Sequence, residues 1–187
     1  VEKNDINRFF ESLVYNKSEQ ALSIKKHADL LRQYYIYPSD YYQTIICGID
    51  AKTNLENSYY LNELHQLTFQ WLTDKLSEID SYISVYRLPS NDRFAILIQN
   101  KQDNHLEMIK QLQISYNDYF EDQISFGVGN EVTEFAQLPS SFFEANEAFE
   151  NGLFNNEKAF ISQYHSKDIQ ELLQLIPEEK LLPFVKH

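Results

Sequence analysis

Residues 82–98 constrain the fold of this chain more than any other stretch. They read as two runs of β-favouring residues, Tyr82-Ile-Ser-Val-Tyr-Arg-Leu and Arg93-Phe-Ala-Ile-Leu-Ile, separated by Pro89-Ser-Asn-Asp. So short a connection between such runs makes a β-hairpin with the polar residues at its tip. The two strands are then antiparallel neighbours in one sheet, and the other elements must be arranged about them.

Periodicity places those other elements. Residues 41–49 are β-rich and nearly continuous in apolar side chains, which is the pattern of a central strand. Residues 61–79 repeat at helical spacing through Leu64, Leu67 or Thr68, Trp71, Leu72 and Leu76. A second helix covers 104–120, with Leu106, Ile109, Leu112, Tyr116 and Phe120 on one side, and a strand follows at 123–129. Ser141, with Glu144 three residues later, reads as a capping box that starts a helix over 142–152. A short strand is expected around 159–161. At the N-terminus, Ile6, Phe9, Phe10, Leu13 and Val14 share one face of a helix over 5–15. Ser18 can cap a further helix reaching residue 33, with Ala21, Ile24, Ala28 and Leu31 inward. A turn region around Pro38 leads into the first strand. From residue 41 the order β-α-β-β-α-β is the split βαβ arrangement of ferredoxin-like and palm folds, an α/β (α+β) class. Right-handed crossovers put strands 41–49 and 123–129 at the centre and helices 61–79 and 104–120 on one face. Extra helices then lie at both termini.

The hairpin ending in Phe94-Ala-Ile-Leu resembles the signature hairpin of GGDEF-type domains, whose palm-like fold makes cyclic di-GMP. In active members two glycines, an aspartate and a glutamate occupy the turn; here those positions hold Ser90, Asn91, Asp92 and Arg93. Glycines let a nucleotide approach the backbone without a Cβ in the way, whereas Ser90 and Asn91 bring side chains and Pro89 stiffens the start of the turn. The acidic pair would help hold Mg²⁺, which wants carboxylate and phosphate oxygens. Arg93 puts a permanent cation where an anionic ligand is needed, and Coulomb repulsion disfavours the metal. The resemblance also implies an aspartate at the end of the first strand, where this chain has Gly48-Ile49-Asp50 and Gly48 occupies that position. Asp50 and Asp92 remain as an acidic rim, which beside Arg93 reads as a surface ion pair worth about 0–1 kcal/mol.

Two further segments sharpen the resemblance. Ile124-Ser-Phe-Gly-Val-Gly-Asn130, followed by Ser141-Phe-Phe-Glu-Ala-Asn-Glu-Ala148, is similar to the end of the GGDEF-like domain of sugar-diacid and purine-catabolism regulators (the CdaR/PucR type). AraC-type regulators of the YesN kind carry a related middle domain. In that pattern Ala145 and Ala148 let the helix sit close on the sheet. Gly127 and Gly129 are not a dinucleotide loop, since the third glycine and the immediate helix are missing. Residues 164–185 look like the segment that joins this domain to a helix-turn-helix in such regulators. The implied organisation is an N-terminal helical segment at 1–40, a GGDEF-like domain at 41–165 and a helical connector at 166–187. Val1 in place of Met, and a final helix that leads to nothing further, suit a piece cut from a longer protein.

Composition narrows the function. The formal charge of −12 repels nucleic-acid phosphates, so direct DNA binding by this piece is not expected. Cys47, the single cysteine, lies in an apolar strand, which excludes an internal disulfide and suits a reducing cytoplasm. No signal-peptide pattern or apolar run near membrane-spanning length occurs, so no membrane partner is expected. His27, His65, His105, His165 and His187 stand apart and read as surface residues, and no metal or other cofactor is called for. No Gly-x-Ser-x-Gly elbow, paired-cysteine motif or phosphate-binding loop occurs. Tyr34, Tyr35, Tyr37, Tyr41 and Tyr42 form either a packed edge or an interface. The resemblance thus implies a catalytically inactive regulatory domain of a bacterial transcription regulator. It would couple an upstream sensor or receiver domain to a C-terminal helix-turn-helix, with no catalytic residues. The alternatives are an effector-binding module using the former nucleotide cleft, its ligand unknown, and a divergent nucleotide cyclase.

Helix 5–15 carries more apolar surface than a short terminal helix needs, and burying Phe9, Phe10, Leu13 and Val14 against a second copy contributes at roughly 25 cal/mol per Å². A homodimer is therefore expected. Light scattering across a concentration series should show a dimer that Phe10→Asp abolishes without changing the circular dichroism spectrum; a monomeric parent at all concentrations removes the interface.

Overall fold

A computed structural model describes residues 32–33, 35–50, 58–88, 93–156 and 158–165. The helix expected at 5–15 and the connector at 166–187 lie wholly outside the described residues, and of the helix expected at 18–33 only residues 32–33 are described. Five strands and three α-helices follow in the order β1 (Gln43–Asp50), α1 (Ser58–Ile79), β2 (Ile83–Leu88), β3 (Arg93–Ile98), α2 (His105–Phe120), β4 (Gln123–Val128), α3 (Leu138–Asn155) and β5 (Ile161–Gln163). The sheet runs β2-β3-β1-β4-β5, antiparallel except for the parallel β4–β5 pair. The split βαββαβ order holds, with β1 in the middle and β4 inside the sheet because β5 forms the edge. No described helix is long and apolar enough to cross a membrane.

The near-continuous apolar run of β1 is explained by helices on both faces. Ile45 and Cys47 of β1, Phe94, Ile96 and Ile98 of β3, and Ile124, Phe126 and Val128 of β4 point to the side of α1 and α2. There they meet Leu72 and Leu76 of α1 and Ile109, Leu112 and Tyr116 of α2. Asn104 caps α2 by accepting from the Glu107 N–H at 3.2 Å. Of the two candidates at the α1 seam, Thr68 is buried and Leu67 exposed. The Thr68 hydroxyl hydrogen-bonds the Tyr116 phenol at 2.8 Å, which meets the need of a polar group in this layer. Burial raises the Cys47 thiol pKa well above its usual range, so the thiol stays protonated and inert.

The opposite face carries α3. Tyr42 just before β1, Ile46 of β1, and Ala95 and Leu97 of β3 pack against Leu138, Phe142, Ala145 and Phe149. Close approach depends on Gly127, where a Cβ would stand 2.4 Å from the Phe149 nitrogen and 2.5 Å from the Ala145 oxygen. The helix backbone therefore lies directly on the strand.

Two expectations are corrected here. Ser141 does not cap a helix starting at 142: α3 begins at Leu138 after a 3₁₀ turn over Phe135–Gln137, and the reciprocal capping box there joins Glu134 and Gln137. Ser141 is instead fully buried within α3, where its Oγ accepts from the Thr44 N–H at 3.0 Å and donates to the Asn130 carbonyl at 3.1 Å. His65 is not a surface residue: it is buried, stacked on Phe94, and its Nδ1 lies 2.6 Å from the Leu61 carbonyl. His105 is half-buried and His165 exposed, while His27 and His187 lie outside the described residues. Of the tyrosine group, Tyr41 and Tyr42 are buried in the packed edge, Tyr35 is exposed, and Tyr34 lies outside the described residues.

Because helix backbone meets strand backbone at Gly127, no rotamer change can make room for a methyl group. Gly127→Ala should destabilise the chain by about 3 kcal/mol, the upper range of overpacking costs, in urea unfolding; a cost under about 1 kcal/mol would mean that α3 is not seated as described.

Candidate functional site

The hairpin end of the sheet is where the sequence placed its candidate residues. Gly48 of β1 lies between Arg93 of β3 and Ser125 of β4. It is covered by the Phe149 ring, whose Cζ would stand 2.8 Å from a Cβ at Gly48. Above that ring sits the Arg93 guanidinium, with Cζ 4.5 Å from the centroid, a cation–π contact. Nη1 of Arg93 also reaches Glu150 Oε1 at 2.7 Å and donates to Asn146 Oδ1 at 3.2 Å. Asn146, Phe149 and Glu150 follow one another at i, i+3 and i+4, so one face of α3 presents all three to the same cation.

Arg93 is therefore not a residue of the turn tip. It is the first residue of β3, paired with Leu88 across the hairpin and with Gly48 across the sheet. Its side chain is 14% exposed, and its charge is directed toward α3. Ser90, Asn91 and Asp92 lie outside the described residues. Asp50 is the exposed last residue of β1, in register with Gln123; the proposed rim of Asp50 and Asp92 cannot be assembled from described residues. What is described at this end does not fit a divalent cation: Gly48 offers no side-chain oxygen, an aromatic ring covers it, and a guanidinium adjoins that ring. Among the described residues no three His, Cys, Asp or Glu side chains converge as a metal site.

The opposite end of the sheet has a different character. Gln43, His105, Gly129, Asn130, Glu131 and Tyr164 line an open groove of about 510 Å³. The Tyr41 hydroxyl lies 3.0 Å from Glu131 Oε1 and 3.3 Å from Gln43 Oε1, and Gln43 Nε2 donates to the Gly129 carbonyl at 3.1 Å. His105 Nδ1 stands 3.8 Å from the same Glu131 oxygen. Burial, reinforced by the Glu131 carboxylate, raises the Tyr41 phenol pKa, so it stays a hydrogen-bond donor at neutral pH. These groups largely answer one another.

Sequence reasoning identified Gly48 and Arg93 but missed Asn146, Phe149 and Glu150, which close the site. The i, i+3, i+4 spacing of those three was visible; that they share a face with Arg93 was not, because the contact spans 57 residues of chain (150 minus 93).

Over 79 residues, 42% of its length, the chain is 35% identical to the purine catabolism regulatory protein of Bacillus subtilis (strain 168), and it spans 15% of that protein. This likeness agrees with the resemblance to purine-catabolism regulators drawn from the sequence motifs. A solved structure of a microbial GGDEF domain, reported for its interaction with bis-(3′,5′)-cyclic di-GMP, matches 78% of this chain and 89% of its own, with 15% identity and a TM-score of 0.45. No protein-family model matches the chain.

The Arg93 contacts predict an asymmetry between partners. Glu150 is half exposed, so Glu150→Gln should cost under about 1 kcal/mol. Arg93→Met loses the ion pair, the amide bond and the ring contact together, and should cost about 2 kcal/mol. Urea titrations of both variants measure this; equal costs would show that the guanidinium does not hold α3 through the ring.

Proposed function

We propose that this chain is a non-catalytic regulatory domain of a bacterial transcription regulator, passing a signal between an upstream sensor or receiver domain and a C-terminal helix-turn-helix. In this reading residues 41–165 are the GGDEF-like domain, and the segments at 1–40 and 166–187 are the connections to its neighbours. The curated relative, a regulatory protein, supports the class of function.

The observation that carries the reading is the closure over Gly48. In the palm-like domains that this chain resembles, the end of the first strand and the hairpin turn bring carboxylates to a metal and a nucleotide. Here Phe149 lies on the corresponding glycine and Arg93 is bonded to α3. The two positions that would do chemistry are used to attach a helix to the sheet. This favours a structural and transmitting role over a cyclase. It also disfavours a small effector seated in the same cleft, because Phe149 takes up the space.

Calorimetric titration with GTP and Mg²⁺ tests the proposal. No binding heat and no cyclic di-GMP are expected, and the triple change Ser90→Gly, Asn91→Gly, Arg93→Glu should restore neither, because Gly48 still lacks a carboxylate. Micromolar, Mg²⁺-dependent binding by the parent chain would overturn the assignment.

A further inference from the structure

The chain reaches β1 through residues 35–42, and Gln99, outside that stretch, bonds it at Tyr35, Tyr37 and Ser39. Gln99 follows the last residue of β3 and is 1% exposed. Its Oε1 accepts from the Tyr37 N–H at 2.7 Å, and its Nε2 donates to the Tyr35 carbonyl at 2.6 Å. The Gln99 carbonyl accepts from the Ser39 hydroxyl at 2.8 Å, and its N–H donates to the Tyr82 carbonyl at 3.2 Å. A buried amide thus bonds the backbone on both sides of Ile36, whose side chain is fully buried in the α3-side core. Pro38 biases the preceding Tyr37 toward extended backbone, which keeps this stretch from continuing as helix.

The bonded turn holds a residue in an unfavourable conformation. Tyr35 has φ 65°, the left-handed region, in which a bulky L-residue is disfavoured because its Cβ crowds the following carbonyl oxygen. Its side chain is exposed, so packing does not compensate for it. Hydrogen bonds offset it: the Tyr35 N–H donates to the Arg32 carbonyl at 3.0 Å, and the Tyr35 carbonyl accepts from Gln99. A turn whose strain is offset by a few hydrogen bonds is released when they break, and a relay between neighbouring domains requires an element with two arrangements.

We infer that Gln99 is a positioning residue that couples the chain preceding residue 35 to the sheet, with the strained Tyr35 turn as the element that is held or released. This deepens the regulatory reading and rests on it. It also gives β3 two functions: Arg93 at its start grips α3, and Gln99 just past its end grips the incoming chain, about six residues or 20 Å away at strand rise. A displacement of the incoming segment reaches the α3 contact along one strand.

Amide hydrogen exchange on the full chain tests this with two variants of opposite sign. Gln99→Met keeps the side-chain length and removes both amide bonds; exchange of the Tyr37 amide should accelerate at least about ten-fold while Ile45, Cys47 and Ile96 keep their protection. Tyr35→Gly keeps the bonds and removes the left-handed cost, so Tyr37 exchange should slow at least about five-fold. An unchanged Tyr37 amide in either variant overturns the inference. Equal loss of protection across the strands in Gln99→Met also overturns it, because Gln99 would then be an ordinary part of the core. These outcomes are independent of GTP binding, so the coupling and the absence of catalysis fail separately.

Discussion

The contact on which the architecture depends is the seating of α3 directly on the backbone of β4. Strand β1 is apolar on both faces, so a single helical layer leaves half of it exposed. The α1–α2 layer covers Ile45 and Cys47 without special geometry, as amphipathic helices on a sheet normally do. Among the described residues α3 is the one helix packed on the other face, where with Ile36 and Phe160 it buries Tyr42, Ile46, Ala95 and Leu97. One helix covers that much of the sheet only by lying very close, and Gly127 with Ala145 permits it. From that contact follow the position of Ser141 as a bridge between Thr44 and Asn130, and the position of Phe149 over Gly48. The short β5, paired parallel to β4, extends the same layer, since Phe160 packs on Phe149.

The same contact explains the arrangement at the hairpin end of the sheet. A glycine at the end of β1 leaves a gap in the surface of the sheet. That gap receives an aromatic ring from the protein's own helix. Once Phe149 is there, the adjacent residue of β3 lies over a π-face and within reach of Glu150. A cation then stabilises the assembly where an anion would be repelled by that carboxylate. Arg93 is thus a structural cation that joins β3 to α3.

Much of the fold was legible because it is written in local periods. The period-2 runs at 82–88 and 93–98, with four residues between them, correspond to the observed Leu88–Arg93 pairing at the end of the ladder. The period-3.6 runs gave α1 and α2 to within a few residues, and their shared face follows from right-handed crossovers. What failed needed a partner distant in sequence. Thr68 and Leu67 are both compatible with the α1 seam at 100° per residue, and only the Tyr116 hydroxyl decides between them. Ser141 and Glu144 have the spacing of a capping box, but the pattern is also satisfied mid-helix when a serine can bond strands beneath it. Pro139, tolerated only in the first turn, was the local signal that the helix begins earlier. His65 looked like a surface residue because nothing nearby in sequence announces Phe94 beneath its ring.

The candidate site divides along the same line. The substitutions at 90–93 and at 48 were readable position by position, since each residue type states what it cannot do: a glycine cannot ligate, and an arginine cannot replace a carboxylate at a cation. What those residues do instead was not readable, because it depends on which side of the sheet α3 occupies. With α3 on the Gly48 face, the substitutions become mutually consistent. The small residue admits the ring, the ring supports the guanidinium, and the guanidinium joins β3 to the helix through Glu150 and Asn146. Reverting any one of them alone would leave the other two without the neighbour that makes them favourable. The closed arrangement is therefore stabilised as a set.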